Sequence, residues 1–311
     1  MRQVKLMNIK RNARNLVIAF STLTAQWALS QGVTVADPSS TLGPVASSQG
    51  AASLAGNMRH DSLILNPAAA TGESLYSVAA NYGATGDLMS ASVVDTKSGP
   101  VGGGAYYLRK NTLSATPDGF LGNYERTEEV AGLSVMGRIS ESVGLGISGR
   151  YIKTKLSGVN SGSVADWDGD IGVRWAASRE LTFAFVTRSL LKEKSGLSPA
   201  QISAGTTFSP YPGILLSASA TKTSVNTQGV TYDVALPVPS EKMSYAVGAE
   251  WMTTTGFGFR AGFNLLQPWG QNIASGGLAY QSKGFSANYG YSQSTKGAEY
   301  SQHLLGLGFE L

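Results

Sequence analysis

Hydrophobic and polar positions alternate through Val164 to Leu190, where the pattern of this chain is clearest. One set of alternate positions is apolar: Trp167, Ile171, Val173, Trp175, Leu181, Phe183 and Phe185. The other set is mostly polar: Asp166, Asp168, Asp170, Arg174, Thr182, Ala184 and Arg188. A period of two predicts β-strands. A three-residue turn at 178–180 would place Trp175 opposite Phe183, Val173 opposite Phe185 and Asp170 opposite Arg188, which keeps both faces in register.

The same alternation recurs to the end of the chain and predicts 14 strands. Their approximate bounds are 75–83, 88–96, 100–109, 127–138, 142–155, 164–177, 181–190, 200–209, 213–223, 243–253, 256–265, 274–282, 284–293 and 302–311. Most have about the 9 to 11 residues that a tilted strand needs to cross a bilayer. Short connections alternate with longer ones, notably 110–126 and 223–242, as expected for periplasmic turns and external loops. We therefore predict an all-β fold, a transmembrane antiparallel β-barrel with both of its ends on the periplasmic side.

Aromatic residues lie near the ends of several strands, where they would form girdles at the membrane interfaces. These residues are Tyr151, Trp167, Trp175, Phe183, Trp251 and Phe259. A water-soluble β-sandwich could bury the same residues in its core. It would not need the alternation of short and long connections, so the membrane barrel is favoured.

Composition supports this interpretation and excludes several other classes of protein. Only 14% of the 311 residues are charged, against about 25% in soluble proteins, and no run of 18 apolar residues follows residue 30. The net charge of +4 depends on five basic residues before residue 30, and the rest has 19 basic and 20 acidic residues. No basic surface for nucleic acid is therefore expected. The absence of cysteine excludes disulfides, thiolate metal sites and a lipid-modified N-terminal cysteine.

The first 30 residues have the layout of a secretory signal peptide, with a basic start, an apolar middle and small residues at Ala28 and Ser30. Cleavage near Ser30 or Ala36 would follow. A retained amphipathic helix is the alternative. Export from the cytoplasm, and for a barrel the outer membrane of a Gram-negative-type bacterium, is the expected destination.

Residues 31–73 are rich in Ala, Ser and Gly and show no period of two. We predict that this segment forms a plug of short helices inside a barrel made by residues 74–311. Asn66-Pro67 suits a helix start, because an Asn side chain caps the first turn and Pro there loses no hydrogen bond.

Charged residues fall on the strand face opposite the aromatic girdles and are expected to line the lumen. They are Arg150, Asp166, Asp168, Asp170, Arg174, Arg188, Glu250 and Arg260. They could line a pore, or they could pair with one another to fill a narrow interior, which we favour. A hairpin with Gly256 in a left-handed conformation would place Glu250 directly opposite Arg260.

No catalytic or metal-binding constellation is evident, so we predict neither an enzyme nor a cofactor. The two histidines are His60, in the predicted plug, and His303, which by parity faces lipid near the outer rim. Ser301 lies two residues from His303, which leaves a membrane-embedded Ser-His lipase as a minor alternative. No spacing of His and acidic residues suits a metal.

The plug, the Asn66-Pro67-Ala68 triplet and the 14 strands resemble the FadL family of outer-membrane transporters of hydrophobic compounds and its PorV-like relatives. The nearest local match is SLAGNMRHDSLILNPAAAT, and the layout of residues 40–311 fits. In that family the triplet lies against a bent third strand, beside an opening in the wall. The third strand here contains Gly102-Gly103-Gly104. The resemblance therefore implies a kink in the wall at these glycines, although the chain is short and its loops are small.

Three functions follow as hypotheses. The leading one is a passive channel through which small hydrophobic ligands leave laterally through the wall. A PorV-like barrel that anchors a secretion or surface protein is the second, and a general diffusion porin, which a plug disfavours, is the third. An apolar tunnel would favour transport, and a sealed lumen with an apolar external patch would favour the anchor. Outer-membrane lipid is a partner in every case. The three glycines could form an exit or merely make room for the plug.

Overall fold

In the part of the chain that the structure describes, fourteen antiparallel strands close into a barrel around a plug. The computed structural model describes residues 42–56, 61–84, 87–115, 123–157, 162–191, 200–224, 241–266, 271–295 and 301–311. The strands are β1 (Tyr76–Gly83), β2 (Leu88–Asp95), β3 (Val101–Ala115), β4 (Asn123–Arg138), β5 (Val143–Ser157), β6 (Gly162–Ala176), β7 (Leu181–Arg188), β8 (Ala200–Phe208), β9 (Ile214–Ser224), β10 (Glu241–Met252), β11 (Phe257–Leu266), β12 (Gln271–Ser282), β13 (Phe285–Ser294) and β14 (Ser301–Glu310). Each strand pairs with its neighbour in the chain, and β1 pairs with β14. The predicted fold is confirmed.

The predicted alternation and register around β6 and β7 are also confirmed. Trp175 lies opposite Phe183, and Val173 lies opposite Phe185. Trp167 is 64% exposed to the outside, whereas its neighbour Asp168 is 1% exposed and faces the lumen. Asp170 and Arg188 were also expected to lie opposite each other. They lie one position beyond Ile171 and Thr187, which form the last pair between β6 and β7 at that end.

Connections of two to five residues join the strands at one end of the barrel, and the other end has connections of up to 16 residues. In outer-membrane barrels the short turns face the periplasm, so we name these the periplasmic and the outer end. The first strand begins and the last strand finishes at the periplasmic end, where the Leu311 N–H donates to the Tyr76 carbonyl at 3.0 Å. The pairing of β1 with β14 closes the sheet, so the described barrel has no free first or last strand.

The long connection expected at 110–126 is wrong. β3 and β4 remain paired as far as Ala115 and Asn123, and the connection is only 116–122. In this extension Lys110 lies opposite Glu128. The paired strands continue with polar residues beyond the apolar band, so the hydrophobic alternation that marks a strand in the sequence is lost there.

Paired aromatic rings on the outer surface form the expected girdles. Rings stack across strands at the periplasmic end, with centroids 5.5 Å apart for Trp175 and Phe183 and 5.7 Å for Trp251 and Phe259. Tyr151 and Trp167 form such a pair further up the wall, 5.2 Å apart. Pairs at these distances add about 0.5–1.5 kcal/mol beyond their buried area, and their amphipathic rings suit a membrane interface.

Short helices of the plug fill the lumen. They are helix α1 (Pro44–Ser48), helix α2 (Ser62–Leu65) and the 3-10 helix η1 (Ala69–Gly72). Among the described residues, no helix has the length and apolarity needed to cross a membrane. The predicted signal peptide and residues 31–41 of the predicted plug lie outside the described residues, so those boundaries stay predictions.

Asp61 joins the parts of the plug. Its carboxyl is buried at the start of α2, and Oδ2 accepts a hydrogen bond from the Ala46 N–H of α1 at 2.9 Å. Burial raises the pKa of Asp61 to about 6, although the backbone N–H groups of Ala46, Val45 and Gly43 and the charge of Arg260 lower it. The ionised carboxylate therefore ties α1 to α2 but pays a desolvation cost.

Glycines of the wall allow the plug backbone to approach the strands closely. A Cβ added to Gly262 would lie 2.2 Å from the carbonyl carbon of Gln49, and one added to Gly146 would lie 2.3 Å from that of Pro67. Real Cβ atoms do not come this close to other atoms. The inward glycines that face the plug are Gly104, Gly144, Gly146, Gly172, Gly205, Gly248, Gly262, Gly277, Gly290 and Gly306. Part of the glycine excess in the sequence thus serves the fit between plug and wall.

We expect Gly146→Ala to displace the plug, because the new Cβ would lie 2.4 Å from the Pro67 carbonyl oxygen. Gly149→Ala is the matched control, since a Cβ there has no atom within 4 Å. Overpacking costs about 1–3 kcal/mol, so hydrogen-exchange protection of the plug should fall about 10- to 100-fold in Gly146→Ala alone. Both variants should keep the heat-modifiable migration of a folded barrel. Equal protection of the plug in the two variants would contradict close packing.

The docked plug should be held more firmly at pH 5 than at pH 8. The Asp61 pKa is about 6 when the plug is docked and 3.8 for the free side chain. Because the docked state binds the proton more tightly, its stability is full below about pH 4 and is lost as the pH rises through 6, by roughly 3 kcal/mol. Protection of plug amides, corrected for intrinsic exchange, measures this loss. The pH dependence should disappear in Asp61→Asn, and its persistence in that variant would show that another group is responsible.

Candidate ligand-binding lumen

One side of the lumen is apolar near the outer end. Leu88, Leu108 and Leu304, from β2, β3 and β14, are each at most 2% exposed and form one cluster. Val130 of β4 packs against this cluster and is only partly buried. All four side chains face inward, so a hydrophobic surface lies inside the barrel, where water would otherwise favour polar groups.

A second apolar cluster continues this surface toward the periplasmic end. Its members are Leu63, Ala70, Val94, Tyr106 and Met136. They belong to the plug and to β2, β3 and β4. The two clusters share Val130 as a neighbour, so apolar contacts run from the outer lumen down to η1.

Ile64 of α2 lies where the apolar surfaces converge. It packs against the two clusters described above and against a third, which includes Leu54, Leu65 and Val186. It is also partly exposed, whereas every other residue from 61 to 70 is buried. Ile64 therefore presents the apolar tip of the plug to the outer lumen. The name apolar basin is used below for Ile64, Val130, Leu88, Leu108 and Leu304.

The neighbouring part of the lumen wall, from β5 to the end of β7, is charged, and its charges are paired. Arg150 of β5 contacts Asp168 at 3.0 Å and Asp170 at 3.2 Å, both on β6. The guanidinium also donates to the Ser189 hydroxyl at 2.9 Å, and the Ser189 N–H donates to Asp170 Oδ1 at 3.1 Å. Ser189 has a positive φ of 59°. This network closes the inner face between β5 and the end of β7, and it leaves little charge free to attract an ion.

Arg188 connects the charged side to the plug. Its guanidinium donates to the carbonyl of Leu65, at the end of α2, and to Gln201 of β8 at 3.2 Å. A cation near the last carbonyls of a helix is favourable for electrostatic reasons. The plug is thus hydrogen-bonded to the wall directly beside the segment that carries Ile64.

The predicted pair of Glu250 and Arg260 is confirmed. The two residues lie opposite each other on β10 and β11 and form an ion pair, next to a turn in which Gly256 has a φ of +87°. Glu250 also accepts a hydrogen bond from Gln49 of the plug at 3.1 Å. Arg260 donates to Asn288 at 2.9 Å.

The remaining two predicted lumen charges lie outside these networks. Asp166 is half-buried, and its carboxylate accepts the N–H of the next residue, Trp167, at 2.8 Å. Arg174 lies near the periplasmic end, and its guanidinium covers Gly72 of η1.

The triplet of Asn66, Pro67 and Ala68 lies in the plug, where it faces glycines of β5 and β6. Asn66 Oδ1 accepts the Ala68 N–H at 2.9 Å, so Asn66 caps a turn that leads into η1. The wall contacts of the triplet are Gly172 of β6, which faces Asn66, and Gly146 of β5, which faces Pro67. The glycines that accept the triplet are thus on β5 and β6, whereas the family resemblance implied a position beside β3.

The wall is continuous at the three glycines of β3. Gly102, Gly103 and Gly104 pair in unbroken register with β4, and the last two also pair with β2. A Cβ at Gly104 would lie 2.7 Å from the Leu63 side chain, whereas one at Gly103 would meet only a carbonyl oxygen at 3.7 Å. Strand pairing therefore leaves no gap in the wall at these glycines. Gly104 makes room for the plug, and its partner is Leu63 rather than the triplet.

His303 faces outward near the outer end, as predicted. Its Nδ1 lies 2.7 Å from the Tyr289 hydroxyl, and its ring packs on Tyr291 with centroids 4.7 Å apart. That nitrogen is thus occupied by a tyrosine and not by Ser301. His60 lies outside the described residues. Among the described residues, no group of three or more His, Cys, Asp or Glu could hold a metal ion.

The sequence interpretation missed the apolar basin. It assigned alternate polar positions to the lumen and left out apolar residues at inward positions. One signal was available in β14. Leu304 falls on the same strand face as Gly306 and Gly308, whereas Leu305, Leu307 and Phe309 alternate with them and face lipid. Ile64 had no such signal, because its environment is formed by residues distant in the sequence.

No family model and no curated protein matches the chain. Solved structures with the same architecture do exist. The Pseudomonas putida toluene transporter TodX matches with a TM-score of 0.65 at 13% identity, over 90% of this chain and 99% of TodX. A Pseudomonas aeruginosa FadL homologue gives 0.63 at 13%, over 90% and 99%. The Ralstonia pickettii toluene transporter TbuX gives 0.62 at 13%, over 86% and 97%. The expected FadL-like fold is thereby confirmed.

Proposed function

We propose that this protein is a passive outer-membrane channel for small hydrophobic compounds, without enzymatic activity. The observation that carries the proposal is the apolar basin. Hydrophobic side chains inside a water-accessible lumen are unfavourable unless something apolar covers them, and here Ile64 and Val130 remain partly exposed. A compound that enters from the outer end would meet them above the plug.

The fold supports the same proposal. TodX and TbuX are toluene transporters, and CymD, a further protein of similar structure, is a monoaromatic hydrocarbon channel. A general diffusion porin is disfavoured, because the plug packs against glycines around the wall. No feature of the described residues specifically favours a role as anchor for a partner protein.

The proposed route runs along the lumen and not through a gap at Gly102–Gly104. Strand pairing there is continuous, and the apolar contacts lead from the basin past Tyr106 to Met136 and Ala70. The residues are closely packed in this state, so passage requires the α2–η1 part of the plug to move. Such movement would break few backbone hydrogen bonds of the strands, since the plug is joined to the wall by side chains and van der Waals contacts.

Ile64→Asn should weaken binding of a hydrophobic probe such as N-phenylnaphthylamine about tenfold. The substitution keeps the number of side-chain heavy atoms but puts an amide where the apolar clusters meet, at a cost of about 1–3 kcal/mol. Val45→Asn is the control, because Val45 is also partly buried in the plug but packs only against the third cluster. The measurement is fluorescence titration of the purified, folded barrel. Equal affinity in native protein and in Ile64→Asn would remove the basin as the binding site.

Gly103→Phe should leave probe uptake by intact cells unchanged, because the Gly103 position faces outward with open space around it. A lateral exit at β3 makes the opposite prediction, since a ring there would obstruct the opening. Gly104→Phe should instead impair uptake, because a Cβ alone would already lie 2.7 Å from Leu63. Loss of uptake in a normally folded Gly103→Phe barrel would restore the lateral route.

A further inference from the structure

A cavity of about 350 Å³ opens at the periplasmic end between the plug and the wall formed by β4 to β7. Thr71 and Gly72 of η1 form its inner side. Three arginines and one acid contribute to the wall, namely Arg138, Arg174, Arg179 and Glu141. This volume is at the lower end of the range for small-molecule sites.

The arginines use little of their hydrogen-bonding capacity on the protein. Arg138 donates from Nε to the Thr71 carbonyl at 2.7 Å. The Nε of Arg174 is buried and has no hydrogen-bond partner among the described residues. A guanidinium carries five N–H donors, and leaving buried donors unpaired is costly. Arg174 therefore has unused donors where the wall meets the cavity.

The charge around the cavity is predominantly positive. Glu141 is the one carboxylate among the lining residues, against three arginines. Glu73 is a nearby acid that interacts with Arg174 at longer range, and Arg138 opposes the Arg174 charge. Cations gathered on one polar cavity attract an anion, and guanidinium groups bind carboxylate and phosphate oxygens with two parallel hydrogen bonds.

We propose that this cavity binds a small oxyanion, with a carboxylate or phosphate group held by Arg138 and Arg174 and attracted by Arg179. Arg138 holds the Thr71 carbonyl, and Arg174 covers Gly72, so the same two side chains that bind the anion also fix η1. A bound anion neutralises the repulsion between these arginines and thereby keeps η1 docked. This inference goes beyond the proposed channel activity and does not depend on it.

Calorimetric titration of the purified barrel at low ionic strength tests the proposal, with inorganic phosphate and benzoate as separate probes. Arg174→Gln and Arg138→Gln should each weaken binding by at least about tenfold. Lys283→Gln should not, because Lys283 lies in an exposed turn at the same end but outside the cavity. Binding of only one probe would assign the group as phosphate or carboxylate, and binding of both would assign a general oxyanion site.

Absence of saturable binding of both probes up to about 10 mM, or equal affinity in Arg174→Gln, would overturn the proposal. Arg174→Lys retains the charge but loses the paired donors, so it should bind with intermediate affinity and provides a test if Arg174→Gln does not fold. Hydrogen exchange supplies a second readout: the bound anion should slow exchange of the amides of residues 71–73 in the native barrel and not in Arg138→Gln. Loss of hydrophobic-probe binding with anion binding intact would contradict the channel proposal alone.

Discussion

The contact between the plug backbone and the wall glycines is the constraint on which the rest of this structure depends. A barrel of fourteen strands is too wide for its own side chains to fill, and in this protein a separate segment occupies the lumen. The plug does so with short helices whose backbone atoms lie where Cβ atoms of the wall would otherwise be, as at Gly146 and Gly262. The fit is steric and non-directional, and most of it involves no hydrogen bond. The plug can therefore be held firmly and still be displaced without breaking the barrel.

The lumen above and beside the plug is divided into two sides with different chemistry. On the charged side, Arg150 and its two aspartates form a closed network, and Arg188 hydrogen-bonds the end of α2. On the apolar side, Ile64 rests against leucines of β2, β3 and β14. The charged side positions the plug, and the apolar side offers a surface to a hydrophobic compound. Leu65 accepts a hydrogen bond from Arg188, and its neighbour Ile64 packs on the leucines, so one short helix contacts both sides.

Predictions from the sequence were reliable where they depended on local periodicity and failed where they depended on packing between distant segments. The pair of Glu250 and Arg260 followed from parity and turn length, and the structure confirms it. The sequence could not decide between an exit at Gly102 to Gly104 and room for the plug, because a run of glycines fits a kink and a close contact equally well. Only the position of Leu63 against Gly104 distinguishes them. The long connection at 110–126 was wrong because β3 and β4 continue past the apolar band, where polar residues on both faces hide a strand.

The amino-acid sequence by itself determined the all-β fold, the number of strands and the register of the β6–β7 and β10–β11 hairpins, because strand alternation and turn chemistry act between residues close together in the chain. The tertiary structure decided which strands receive the plug: β5 and β6 take the Asn66-Pro67-Ala68 triplet, and β3 takes Leu63. It also brought Leu88, Leu108 and Leu304 together at Ile64, and three arginines together around one cavity. These groupings arise when a sheet closes into a barrel, since closure makes neighbours of residues that are more than 200 positions apart, such as Leu88 and Leu304. Hydrophobic periodicity along the chain cannot indicate contacts between residues so far apart in the sequence.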